Sequence, residues 1–230
     1  MNPTFLFEVF IYSICLGAGL LCFFNFKKLN RAFRWLGVFL VFAGISQIFA
    51  RILLDITGSN LRFYNYAILI NTILIFMVFI NIQAAKATKL WLRSLFVFGF
   101  LITLFFVWES LENEEFSILG LATMSVTVAI ASLIVLFGML RNPLQSSPLK
   151  MGWMWMLMGF LFYYSSSFSY WTAYHFASEN ITRSALQNVN IVLILIFYLI
   201  LLTSVIIQLK FGTPEAKRFE RKRTYPKKHE

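Results

Sequence analysis

The chain has 230 residues, 59% of them hydrophobic, with 27 phenylalanines and a formal net charge of +10. Its mean hydropathy of +0.74 exceeds what a water-soluble domain of this size can bury, so lipid must solvate most of it. Cys15 and Cys22 are its two cysteines; seven residues apart on a helix they sit ~10 Å from each other, which excludes a mutual disulfide or a paired metal thiolate.

Seven apolar stretches follow in chain order, and the sequence predicts an all-α, polytopic seven-helix bundle. The first runs over 5–24. Glu8 stands where a secretory signal would carry Lys or Arg, so this stretch is expected to remain as a span. The second runs over 35–54 and carries Gln47, Arg51 and Asp55 at four-residue spacing, which puts them on one helical face. Arg51 and Asp55 can pair with each other. Alternatively, the Arg51 guanidinium can hold an anionic or carbonyl-bearing ligand in its fork.

The third span, 63–83, holds Asn65 and Asn71; the fourth, 94–108, is the shortest and is either less tilted or extended into its flanks; the fifth covers 118–140. The sixth, 153–174, bears Gly159, Tyr163, Ser166, Tyr170 and Tyr174 on one face, a pattern that serves either helix packing or a polar pocket. The seventh, 189–209, opens with Asn188 and Asn190. Ionisable and amide groups within spans are costly, so Gln47, Arg51, Asp55, Asn65, Asn71, Tyr163, Ser166, Tyr170 and Asn190 are the candidate ligand-binding residues. Gly17 and Gly19 on the first span permit close packing, and the Glu112, Glu114 and Glu115 cluster reads as a solvated loop.

Of the 20 lysines and arginines, all but Arg51, Arg62 and Arg183 fall on one side of this topology. The positive-inside rule makes that side cytoplasmic, with the amino terminus outside and the carboxyl terminus inside. The basic balance therefore records topology, and no nucleic-acid partner follows from it. Residues 1–211 form the transmembrane domain and 212–230 a basic cytoplasmic tail. Lys217, Arg218, Arg221, Lys222 and Arg223 in that tail face either the anionic lipid surface or an acidic protein partner.

Catalytic and cofactor signatures are absent: there is no H-E-x-x-H, G-x-S-x-G or G-x-x-x-x-G-K-[ST], and the histidines, His175 and His229, lie at a helix end and in the tail. No lysine precedes Lys210 in the seventh span to carry a retinal Schiff base. No metal, cofactor or enzymatic activity is expected. Every proline lies outside the spans, so the broken helices of many secondary transporters are not signalled.

The segments KKLNRAFRWLGVFLVFAGISQIFARIL, FYNYAILINTILIFMVFINIQ, WMLMGFLFYYSSSFSYWTAY and NVNIVLILIFYLILL resemble those of small seven-helix inner-membrane proteins of Bacteroidota, some encoded near sensor kinases. The resemblance implies a bacterial inner-membrane location and supplies no catalytic residues. Two functions are consistent with this reading. One is a non-enzymatic receptor-like sensor or accessory subunit with an outward-facing polar pocket for a small polar ligand, coupled to a membrane or cytoplasmic partner. The alternative is a transporter or channel for a small polar or anionic solute.

Overall fold

A computed structural model describes residues 3–82, 86–140, 150–176 and 180–212. They form seven α-helices: α1 Pro3–Phe24, α2 Arg31–Thr57, α3 Leu61–Ile80, α4 Lys86–Glu112, α5 Ile118–Leu140, α6 Gly152–Phe176 and α7 Asn180–Phe211. Each helix packs on its neighbour in sequence, and α1 also packs on α7, which closes the bundle into a ring. A further contact between α3 and α5 runs across it.

Among the described residues, α1 to α5 and α7 are long and apolar enough to cross a membrane. Their outward faces carry large exposed apolar side chains, such as Trp91, Phe98 and Phe105 on α4 and Leu199 and Ile206 on α7. So continuous an apolar exterior is a lipid-facing surface. Helix α6 is less apolar because its sequence is interrupted by serines and tyrosines. It nevertheless packs between α5 and α7 and leaves Met158, Phe162 and Phe168 exposed on its outer side.

Helix ends differ from the expected spans in physically simple ways. Of the two alternatives for the fourth span, the helix is extended into its flanks: it covers Lys86–Glu112, running through charged residues on both sides. Lys and Glu are good helix formers, so the helix outlasts its apolar segment. Helix α7 likewise begins at Asn180, nine residues before the apolar run, whereas α3 stops at Ile80, short of the expected end at 83. Asn30 caps α2, its side chain accepting from the Phe33 N–H at 3.1 Å, and Gly58 ends the helix at φ 74°, a conformation that glycine adopts without strain.

The α1–α2 pair is the tightest seam. A Cβ on Gly37 would lie 2.5 Å from the Cys22 Cβ, and one on Gly44 would lie 2.6 Å from the Leu16 side chain. Gly19 takes part in the same seam, whereas a Cβ on Gly17 would meet nothing within 4 Å, so Gly17 plays no packing role there. Gly159 of α6 meets Ile200 of α7 in a similar close approach, so its place in the polar pattern of α6 is that of a packing residue.

We call the end that carries the α2–α3 and α4–α5 turns the amino-terminal end, and the opposite one the carboxyl-terminal end. Toward the carboxyl-terminal end the interior is filled by Phe39, Phe79, Phe96, Phe160 and Phe197, all nearly inaccessible. The Phe160 ring stands 6.0 Å from Phe39, 5.6 Å from Phe79 and 5.7 Å from Phe197, so it joins α2, α3, α6 and α7.

Candidate functional site

The polar groups of the interior gather toward the amino-terminal end, where α1, α2 and α3 meet. Tyr64 of α3 donates its hydroxyl to Gln47 Oε1 of α2 at 3.0 Å. The α1–α2 seam pairs Leu16 with Gly44; carried toward the amino-terminal end, that antiparallel register sets Tyr12 level with Gln47 and Glu8 level with Arg51. The charges of Glu8 and Arg51 both act on Tyr12 and on Tyr64. Glu8, Tyr12, Gln47, Arg51 and Tyr64 therefore form one cluster.

Arg51 and Asp55 do pair: Arg51 Nε lies 3.5 Å from Asp55 Oδ1, with the two side chains 47% and 62% exposed. The pair sits at the rim, outward of Gln47. Glu8 is different in kind, since it is partly buried on the α1 face that also carries Tyr12 and the fully buried Cys15. Sequence reasoning assigned Glu8 no part in the site. The signal that finds it is the 8, 12, 15 spacing, which aligns a carboxylate, a phenol and a thiol on one helical face.

Asn65 is 1% exposed and both ends of its amide are engaged. Its Nδ2 donates to the Glu115 carbonyl at 2.8 Å, and its Oδ1 accepts from the Ser117 N–H at 2.9 Å. These bonds grip the α4–α5 turn on either side of Phe116. The turn is further tied by an ion pair between Arg62 and Glu114, while Glu112, Glu114 and Glu115 lie exposed. So held, Phe116 stands between Tyr64, at 6.4 Å, and Trp171 of α6, at 5.1 Å. Asn65 thus positions an aromatic bridge from α3 to α6.

On α6, Tyr170 and Tyr174 continue the aromatic group around Trp171, with ring centroids 4.8 and 5.7 Å from it. Deeper in, Tyr163 stacks on Phe197 at 4.4 Å and is in hydrogen-bond contact with Ser167. Ser166 is only partly buried. Tyr198 of α7 is in hydrogen-bond contact with Cys15, whose thiol also donates to the Leu40 carbonyl at 3.1 Å. Cys15 thereby links α1, α2 and α7.

Most buried hydroxyls here are satisfied by their own helix: Thr72, Thr103 and Ser132 each donate to the carbonyl four residues back at 2.8 Å. Three buried atoms have no hydrogen-bond partner among the described residues: Asn71 Oδ1, Asn190 Oδ1 and Ser204 Oγ. Ser204 is near the carboxyl-terminal end of α7, against Gly152. Asn71 and Asn190 belong to the more polar remainder of the bundle, on α3 and α7.

Of the sequence candidates, Gln47, Arg51 and Asp55 are therefore brought together with Glu8, Tyr12 and Tyr64. Tyr163 and Tyr170 lie across the bundle on α6; Tyr170 is connected to this group through Trp171 and Phe116, whereas Tyr163 stacks on Phe197. Lys217, Arg218, Arg221, Lys222 and Arg223 lie outside the described residues. Among the described residues no three His, Cys, Asp or Glu side chains come together as a metal site. The chain matches no protein-family model, no curated protein and no solved structure.

Proposed function

We propose that this protein is a non-enzymatic, receptor-like sensor or accessory subunit of a bacterial inner membrane. In this reading α6 spans with the other six helices. The amino-terminal end faces outward, because nearly all the basic residues gather at the opposite end. A small polar ligand reaches the amino-terminal half of the bundle, and the resulting helix shift is passed to a partner on the membrane or in the cytoplasm.

One observation carries the reading: beside a packed phenylalanine core the interior holds two incompletely satisfied amides, apart from Ser204 Oγ, a third atom unpartnered among the described residues, toward the carboxyl-terminal end. Asn71 Oδ1 and Asn190 Oδ1 are buried acceptors without donors among the described residues, a situation that costs about 1–3 kcal/mol for each group. Such an acceptor is satisfied by an ordered water, by a ligand or by a conformational change that supplies the missing donor; in this reading it is one of the last two. The phenylalanines supply the other half of the argument. A carrier's solute would have to pass among Phe39, Phe79, Phe160 and Phe197, whose rings interlock across four helices. A sensor needs no such passage, and a tightly packed core is a suitable transmitter of a helix shift.

Co-purification of the tagged full-length protein from native membranes, read by quantitative mass spectrometry, tests the proposal. The expected result is recovery of one partner in near-stoichiometric amount. Absence of any such partner, together with solute flux by the protein alone in proteoliposomes, would assign it to the carriers instead.

A further inference from the structure

The turn between α1 and α2 carries Lys27, Lys28, Arg31 and Arg34, and it lies where the apolar span of α1 stops at Phe24 and that of α2 starts at Arg31. At the opposite end of the bundle cations stand beside carboxylates, Arg51 by Asp55 and Arg62 by Glu114. The carboxyl-terminal end has no Asp or Glu among the described residues. Lys27, Lys28 and Arg31 are exposed there, without a carboxylate partner among those residues. The segment 213–230 is itself basic overall, so its composition adds to this charge and does not offset it. Such a surface attracts anions.

The turn is held in one shape. Leu29 anchors it in the core at 2% exposure, and the Lys28 N–H donates to the Asn25 carbonyl at 2.9 Å. Arg34 folds back over it: its Nε donates to the Phe26 and Leu29 carbonyls, both at 3.0 Å, and its guanidinium carbon stands 4.7 Å from the centroid of the Phe26 ring. Phe26 stacks in turn on Phe23 at 6.5 Å. With Nε so engaged, the two Nη groups form a fork that has no protein acceptor among the described residues, and such a fork matches phosphate oxygens. Beside these cations Phe23 and Phe26 are exposed, and Phe24 is 84% exposed. Cations and apolar rings thus lie side by side at the end of two spans, as phosphate and acyl chains do in a phospholipid. A soluble anion would use the cations alone. We infer that the α1–α2 turn binds an anionic phospholipid of the surrounding leaflet, its phosphate on the Arg34 Nη groups among Lys27, Lys28 and Arg31, and its acyl chains against Phe23 and Phe24. This requires only that the chain spans a membrane, and it is independent of the ligand pocket and partner proposed above.

The test uses the delipidated full chain in a non-ionic detergent, with bound lipid counted by native mass spectrometry. Phosphatidylglycerol, zwitterionic phosphatidylcholine and inorganic phosphate are offered at equal concentration. A basic residue near an anionic lipid surface strengthens attraction about fivefold, so phosphatidylglycerol should outbind phosphatidylcholine by about tenfold or more. Lys27→Gln together with Lys28→Gln should remove most of that preference and leave folding intact, since both side chains are exposed. Arg34→Lys keeps the charge but loses the fork, and should weaken phosphatidylglycerol binding several-fold. Lys89→Gln together with Arg93→Gln removes the same charge from α4, which packs on α3 and α5, and should leave the preference nearly unchanged. The lysine pair decides the matter if Arg34→Lys fails to fold. No preference in the unmodified chain, a preference undiminished in the turn variants, or an equal loss from the α4 pair would overturn the inference. Full competition by inorganic phosphate would also overturn it, by assigning the cations to a soluble anion.

Discussion

The residues that matter most here are distinguished by what their polar atoms are bonded to. Asn65 and Asn71 are both asparagines on α3, yet the first holds a turn with both ends of its amide and the second has a buried oxygen without a partner among the described residues. Asn65→Ala removes two hydrogen bonds and strands the buried Ser117 N–H, so it should destabilise the protein by about 2 kcal/mol. Thermal unfolding in detergent should register this as a fall of several degrees. The Arg51–Asp55 pair is half exposed, and its replacement by Gln and Asn should change stability by less than about 0.5 kcal/mol. A larger loss in the same assay would mean that Arg51 supports the interior more than its exposed pairing with Asp55 accounts for.

These residues also show how far a sequence discloses a site. The four-residue spacing of Gln47, Arg51 and Asp55 was legible, and their common face is real. Glu8 was visible as a charge within an apolar stretch, but Tyr64, on which its charge acts, belongs to α3, and no single-helix pattern reveals that. The role of Asn65 was hidden for a different reason. Its partners are backbone atoms of a turn fifty residues away in sequence, and a backbone carbonyl has no residue identity to read.

At the scale of elements, apolar length located every helix, because burial in lipid requires backbone groups to be satisfied within a helix. Helix ends were less legible where good helix formers carry on past the apolar run, as in α4 and α7. Packing was legible only as a permission. Gly17 and Gly19 looked equivalent, yet a Cβ on Gly19 would run into Val41 and one on Gly17 would meet nothing within 4 Å, because two positions on a helix are ~200° apart. Gly37→Ala should therefore force α1 and α2 apart and cost about 1–3 kcal/mol. Gly17→Ala should be neutral or stabilise by up to about 1 kcal/mol through helix propensity. Measured side by side, equal effects of the two substitutions would contradict the seam as described.

The whole molecule is a ring of helices with a graded interior: aromatic and closed toward one end, polar and charged toward the other. The orientation proposed for it can be checked with an impermeant maleimide on intact spheroplasts. Native Cys15 and Cys22 are buried and contribute little background. Cysteines introduced at Ser110 and Asn180 should label from outside, whereas one at Thr224 should not. Labelling at Thr224 would reverse the topology and with it the outward placement of the Glu8 cluster.

Coupling from that cluster to a partner is the central claim, and the basic tail is where the two functional classes diverge most. A carrier's path lies within its helices, so removal of 213–230 should leave flux intact. A sensor or accessory subunit that docks through Lys217, Arg218, Arg221, Lys222 and Arg223 loses its partner on the same deletion, through charge attraction that salt weakens. The basic residues of the remaining loops keep the orientation in both cases. The most direct measurement is partner recovery from native membranes by the full chain and by the truncated one, compared at equal expression. The account predicts that truncation abolishes recovery while the protein still inserts and accumulates, and that Gln substitutions at the five basic residues reduce recovery in part, more so at high salt. Undiminished recovery by the truncated protein would contradict it.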